Sequence, residues 1–161
     1  MRESMGRLTP RFSADRTVRE YTERYYIPAA SAYLERAAQK GAMGGKIANW
    51  QHTIEENWPK IRFGEEKITS DERTHTFEIQ VYLGDLDADS VRVELYAEGI
   101  NGGEPVQQEM ARSWQLVGAN GYIYRAELPA TRPATDYSAR ITPRFSGVRV
   151  PLELPRILWQ R

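Results

Sequence analysis

Two different hydrophobic rhythms divide the chain. In the first sixty residues, apolar positions recur at helical spacing. Ser13 is suited to cap a helix, Asp15 lies in its first turn where the dipole favours an anion, and Val18, Tyr21 and Tyr25 follow on one face. Glu20 and Arg24 have the favourable order for an i,i+4 ion pair. Pro28 cannot donate a backbone hydrogen bond, which predicts a kink or break near Ile27. A second helical piece, AASAYLERAAQ, is predicted to stop at Gly41, with GAMGG as a flexible joint. Ile47, Trp50, Ile54 and Trp58 then form one more stripe, on a helix that Pro59 ends.

From about residue 61 the rhythm has period two. Phe77, Ile79, Val81 and Leu83 alternate with Glu78, Gln80 and Tyr82, and Val91, Val93, Leu95 and Ala97 alternate with Arg92, Glu94 and Tyr96. GDLDADS between them reads as a turn. ARSWQLV and YIYRAEL flank GANG, whose Asn120-Gly121 pair is a hairpin signal. DYSARITPRF and VRVPLEL add two strands, and Ile61–Phe63 a short one. No helices separate these strands, which argues against a parallel sheet. The expectation is a mainly β protein: an immunoglobulin-like antiparallel β-sandwich of about seven strands, preceded by two or three helices. The predicted organisation is a helical segment over residues 1–59 and a β-domain over 60–161.

Charge sharpens this division. Formal net charge is zero, from 22 basic and 22 acidic residues, so no whole-chain attraction to nucleic acid is expected. Residues 1–63 nevertheless carry 11 Lys/Arg against 7 Asp/Glu, or +4, which leaves −4 for the remainder. There is no cysteine, which excludes disulfides, thiolate nucleophiles and cysteine-ligated zinc. No apolar run approaches the roughly 20 residues that span a bilayer, and MRESMGRLTP lacks the apolar stretch of a signal peptide, so a cytoplasmic protein is expected.

Candidate chemistry is sparse. GAMGGK has neither the spacing of a phosphate-binding loop nor its Ser/Thr, since Ile47 follows the lysine. Asp85, Asp87 and Asp89 mimic the start of a calcium loop, but its sixth and twelfth positions are Ser90 and Tyr96 instead of Gly and Glu. His52 and His75 are read as lacking a nearby carboxylate or second histidine at ligand spacing. Neither a catalytic nor a metal-binding residue is assigned. Tyr82 and Tyr96 fall on the polar faces of strands read as a linked hairpin, and exposed rings there would stack on sugars, with Glu94 and Gln80 binding hydroxyls. Against this stands the simpler reading that the helical segment or another domain covers them. Val18, Tyr21, Tyr25, Trp50 and Trp58 are candidate packing or interface residues.

The run SMGRLTPRFSADRTVREYTERYYIPAA resembles the C-terminal end of bacterial α-glucan (glycogen/starch/maltodextrin) phosphorylases. Ser4, Leu8, Pro10, Phe12, Arg16, Val18, Glu20, Tyr21, Tyr25, Tyr26 and Pro28 carry the match, and Thr17 departs from an expected methionine. Residues 61–161 resemble, more loosely, an extra β-domain of some of these enzymes, through GDLDADSVRVELYAEG and RPATDYSARITPRF. The resemblance implies a parent enzyme that uses pyridoxal phosphate to cleave terminal α-1,4 linkages with inorganic phosphate. None of Lys40, Lys46, Lys60 and Lys67 lies in the context of that family's cofactor lysine, so no cofactor site is expected here. The chain is expected to be an inactive C-terminal fragment whose β-domain serves docking, stabilisation or oligomerisation. The alternative is a carbohydrate-binding module tethering the enzyme to α-glucan. Expected partners are the upstream catalytic domain, α-glucan, and a second copy through exposed helices.

Overall fold

The computed structural model describes residues 13–160; Ser4, Leu8, Pro10 and Phe12 of the resemblance lie outside the described residues. The chain forms two compact units, divided between Ala48 and Asn49.

Helix α1 spans Ala14–Tyr21, and the Ser13 hydroxyl caps it by accepting from the Arg16 amide at 3.3 Å. Glu20 meets Arg16 at 3.6 Å, one turn before it. The helix does not break at Pro28. A π-turn over Thr22–Tyr26 widens the spiral, with the Ile27 amide donating to the Thr22 carbonyl, and α2 (Ile27–Asn57) continues from it. A proline removes one amide and crowds the carbonyl four residues earlier; a wider turn before it relieves that crowding.

The interruption comes later, at Ala38–Gly41. Ala38 is extended, and Gln39, Lys40 and Gly41 all have positive φ. The joint therefore precedes most of GAMGG, and Gly44 and Gly45 are helical.

The second unit holds eight strands, β1 (Arg62–Ser70), β2 (Thr74–Tyr82), β3 (Val91–Ala97), β4 (Val106–Glu109), β5 (Ala111–Gln115), β6 (Gly121–Pro129), β7 (Ser138–Pro143) and β8 (Leu158–Trp159). They make two antiparallel sheets, ordered β1-β2-β6-β5 and β4-β3-β7-β8. Phe77, Ile79 and Val81 from the first sheet and Val93, Leu95 and Ile141 from the second share one core, each with at most 1% of its surface exposed. Period-two patterning places these side chains on the two inner faces, as in a β-sandwich.

The structure departs from the predicted strands at several points. β4, in the segment EPVQQE, has too little apolar content to signal a strand. VRVPLEL is a loop, and the last strand is Leu158–Trp159. GDLDADS does not close a hairpin, because β2 and β3 belong to different sheets. The β5–β6 turn has its positive φ at Gly118 instead of at Asn120-Gly121. Asn120 instead clamps the connection between the sheets. Its side-chain amide donates to the carbonyls of Gly84 and Leu86, both at 2.9 Å, and its backbone carbonyl accepts from the Leu83 amide.

The end of α2 belongs to this second unit. Trp50 and Ile54 join its core, Trp58 packs at the margin, and Trp50 lies 5.2 Å from Phe145 between ring centroids.

Candidate functional site

The separation of β2 from β3 decides the arrangement of the predicted sugar-contact residues. Gln80 and Tyr82 are on the outer face of the first sheet, and Glu94 and Tyr96 are on the outer face of the second. The expected single platform does not form.

On the first sheet, Tyr82 lies against backbone. A Cβ at Gly64 would come within 2.8 Å of the Tyr82 ring, and one at Gly121 within 3.0 Å, so the ring covers a glycine on each neighbouring strand. Such aromatic cover offsets the packing that a strand glycine lacks. Arg62 stacks on the ring, 3.9 Å from its centroid. The Tyr82 hydroxyl donates to Gln80 Oε1 at 3.3 Å, and Gln80 Nε2 donates to Glu65 at 3.4 Å. Both predicted residues are engaged within the sheet.

On the second sheet, Glu94 is only 3% exposed although it points away from the core. Arg140, its cross-strand partner on β7, donates from Nε to Glu94 Oε1 at 2.6 Å, and Arg92 Nε lies 3.1 Å from Oε2. The Arg140 guanidinium also lies 4.5 Å from the centroid of Tyr96 and 5.2 Å from that of Trp159, whose rings meet edge to face at 5.4 Å. Tyr96 donates to Glu98 at 3.1 Å; burial first, then that bond and the Glu98 charge, raise its pKa while Arg140 opposes them. Arg140 and Trp159 are absent from the residues that the sequence points to. Their roles depend on β3–β7–β8 pairing, which local periodicity does not encode.

The acidic turn is dispersed. Asp85 pairs with Lys60 at 2.6 Å, Asp87 accepts from the Asp89 amide at 3.0 Å, and Asp89 pairs with Arg112 at 3.1 Å. No group of three or more metal-ligating side chains occurs among the described residues. His75 is buried, with Nδ1 2.7 Å from Ser70 Oγ and Nε2 2.8 Å from the Arg132 carbonyl. His52 does have a carboxylate beside it: Glu56, one helical turn on, lies 3.2 Å from Nε2.

Helical surface is the remaining candidate. Val18, Tyr21, Tyr25, Tyr26, Tyr33 and Leu34 are each more than half exposed, and Tyr21 and Tyr25 lie 5.5 Å apart. This is a large apolar area for one short segment.

Residues 58–161, well over half the chain, match the profile of the glycogen phosphorylase C-terminal domain. The chain belongs to that family. As a glycogen phosphorylase C-terminal domain it has relatives along nearly its whole length. It is 31% identical over 170 residues to maltodextrin phosphorylase of Thermococcus litoralis, covering 99% of this chain and 20% of that protein. It is 30% identical over 167 residues to glycogen phosphorylase of Mycobacterium tuberculosis, covering 96% of this chain and 19% of that protein. The chain thus spans about a fifth of the length of these relatives. No solved structure matches it. No helix among the described residues is long and apolar enough to cross a membrane.

Proposed function

We propose that this chain is the non-catalytic C-terminal part of a cytoplasmic, pyridoxal-phosphate-dependent α-glucan phosphorylase, whose catalytic region cleaves terminal α-1,4 bonds with phosphate to give glucose 1-phosphate. Residues 1–59 are the last helices of the catalytic region, and residues 60–161 form an immunoglobulin-like module for docking, stabilisation or oligomerisation. The strand orders β1-β2-β6-β5 and β4-β3-β7-β8 support that fold type, since they correspond to A-B-E-D and C′-C-F-G.

The observation that carries the reading is the exposed apolar helix surface at Val18, Tyr21 and Tyr25 in a chain matching one fifth of a phosphorylase. A surface of this kind calls for a protein partner, and the rest of the same enzyme is the partner proposed. A second copy of the chain would meet the same surface when the catalytic region is missing. Two lysines of the β unit are engaged by neighbouring polar groups. Lys60 is held by Asp85 and Asn57, and Lys67 lies 4.0 Å from Glu78 on an exposed strand.

Glucan tethering is the second reading. Trp159, 39% exposed beside Tyr96, is the ring that favours it. The cover of Arg62 over Tyr82 and the capture of Glu94 by Arg140 weigh against the residues that the sequence suggests.

Co-expression with the remainder of the reading frame tests the docking reading. The purified chain is expected to show no phosphorolysis alone and to co-purify with the catalytic region. Tyr21→Asp with Tyr25→Asp should abolish that association. Phosphorolysis by the chain alone, or association unaffected by the double substitution, would overturn it. Retardation in glycogen-containing gels that is lost on Trp159→Ala would favour glucan tethering instead.

A further inference from the structure

A pocket of about 360 Å³ opens where the chain leaves the second sheet for the first. β4 pairs with β3 only over Glu94–Ala97, so Val91 and Arg92 lie on a free edge. At Met110, whose amide donates to the Val93 carbonyl at 2.9 Å, the chain crosses into β5. Arg92, Arg112 and Arg144 line the resulting hollow, with Asp89, Glu109 and Tyr124. Each guanidinium has a carboxylate neighbour: Glu94 for Arg92, Asp89 for Arg112 and Glu109 for Arg144.

One feature of this pocket lacks an explanation within the fold. The Tyr124 side chain is 4% exposed, and its hydroxyl is buried with no hydrogen-bond partner in the protein. Register places Arg112 directly across from Tyr124, and Arg112 and Asp89 are among the charges acting on the phenol. Burial holds that phenol protonated, with its pKa pushed up to about 12, so it is a hydrogen-bond donor across the neutral range. Arg92 Nε, by contrast, is taken up by Glu94 Oε2 at 3.1 Å. The orphaned hydroxyl is a donor. A buried donor left unpaired is costly, and an incoming acceptor recovers that cost.

The pocket acids do not prevent this. Asp89, which pairs with Arg112, has 81% of its side chain exposed, and Glu109, which pairs with Arg144 at 2.9 Å, has 52%. Exposed pairs of this kind contribute little and exchange readily for a better acceptor. A tetrahedral oxyanion presents several oxygens to the planar forks of arginine, the geometry in which guanidinium binds most strongly.

We propose that the pocket binds a small oxyanion, a phosphoryl group held by Arg92, Arg112 and Arg144 with the Tyr124 hydroxyl as a further donor. The group is carried either by inorganic phosphate or by a phosphate ester. The site does not rest on the docking reading, since all its residues belong to the β unit.

The test titrates the full 161-residue chain, labelled with nitrogen-15, with inorganic phosphate and separately with a hexose 1-phosphate, ionic strength being held constant with chloride. Saturable shifts of the Asp89, Arg92, Met110 and Arg112 amides are expected. Saturation by phosphate alone identifies the free anion as ligand; saturation by the ester alone identifies a sugar phosphate; either supports the site. Arg112→Gln should weaken binding at least tenfold. Tyr124→Phe should weaken it severalfold while the melting temperature holds or rises, because an unpaired hydroxyl is removed. Shifts that grow linearly and match those of chloride would overturn the proposal, as would unchanged affinity in either variant.

Discussion

Glu94 and Arg140 face one another across β3 and β7 as a near-buried ion pair, Nε to Oε1 2.6 Å, on the outside of the second sheet. The pair lies outside the hydrophobic core yet is largely withdrawn from water, with side-chain exposures of 4% and 12%. Desolvation makes such a pair a weak source of net stability but costly to break from one side. Arg140→Met is therefore expected to destabilise the domain by about 2 kcal/mol, since it removes the shorter of two guanidinium contacts and leaves Glu94 with Arg92 alone. Glu94→Gln with Arg140→Met should recover much of that loss. Urea denaturation of the single and double variants measures the coupling; additive effects would show that the pair does not act as a unit.

The end of α2 is the next point of control. Ile54 is fully buried and Trp50 nearly so, both within the core of the β unit. Ile54→Ala should cost about 2–5 kcal/mol by leaving a cavity. A chain starting at Asn49 should melt at a clearly higher temperature than one starting at Trp58, because only the longer one keeps both residues. Equal melting temperatures would contradict the assignment of this helix end to the β core.

Asn120 acts through its amide nitrogen, which serves two carbonyls in the connection between the sheets. Asn120→Asp retains size and acceptor but removes both donated bonds, and should cost more than Asn120→Ala. The alanine variant is expected to lose roughly 1–2 kcal/mol, the scale of one or two net hydrogen bonds. Thermal melts and amide exchange at Gly84–Leu86 would show the loss.

Tyr124 predicts a pH dependence. Its folded pKa of about 12 is above the ordinary value of 10.0, mainly through burial. The folded state therefore retains a proton that the unfolded chain releases. The resulting stabilisation is fully present below pH 10 and is lost as pH rises through the window from 10 to 12. Alkaline unfolding of the native chain should be steeper across that window than for Tyr124→Phe. Absorbance of tyrosinate should show one fewer late-titrating group in the variant.

How much of this is legible in the sequence follows from the range of each signal. Ser13 as a cap and the alternation along β2 and β3 are local, and the structure keeps both. The π-turn before Pro28 is not legible, because an isolated proline specifies a disturbance without specifying how the neighbouring turns absorb it. Tyr82 and Tyr96 read as neighbours because adjacency in sequence suggests a hairpin; GDLDADS instead carries the chain between sheets. Arg140, Trp159 and the Arg92–Arg112–Arg144 pocket have no local signal, since strands distant in sequence bring their parts together.

Periodicity and runs of neighbouring residues settle where helix gives way to strand, which side chains enter the core, and the kinship with phosphorylases. A linear chain displays such patterns directly. Strand pairing alone settles that Tyr82 covers Gly64 and Gly121, that Glu94 is neutralised by Arg140, and that Tyr124 ends in a pocket without a protein partner. Burial and pairing of polar groups depend on which strands become neighbours. That choice is made by the cooperative closure of two sheets over one core, not by any single segment.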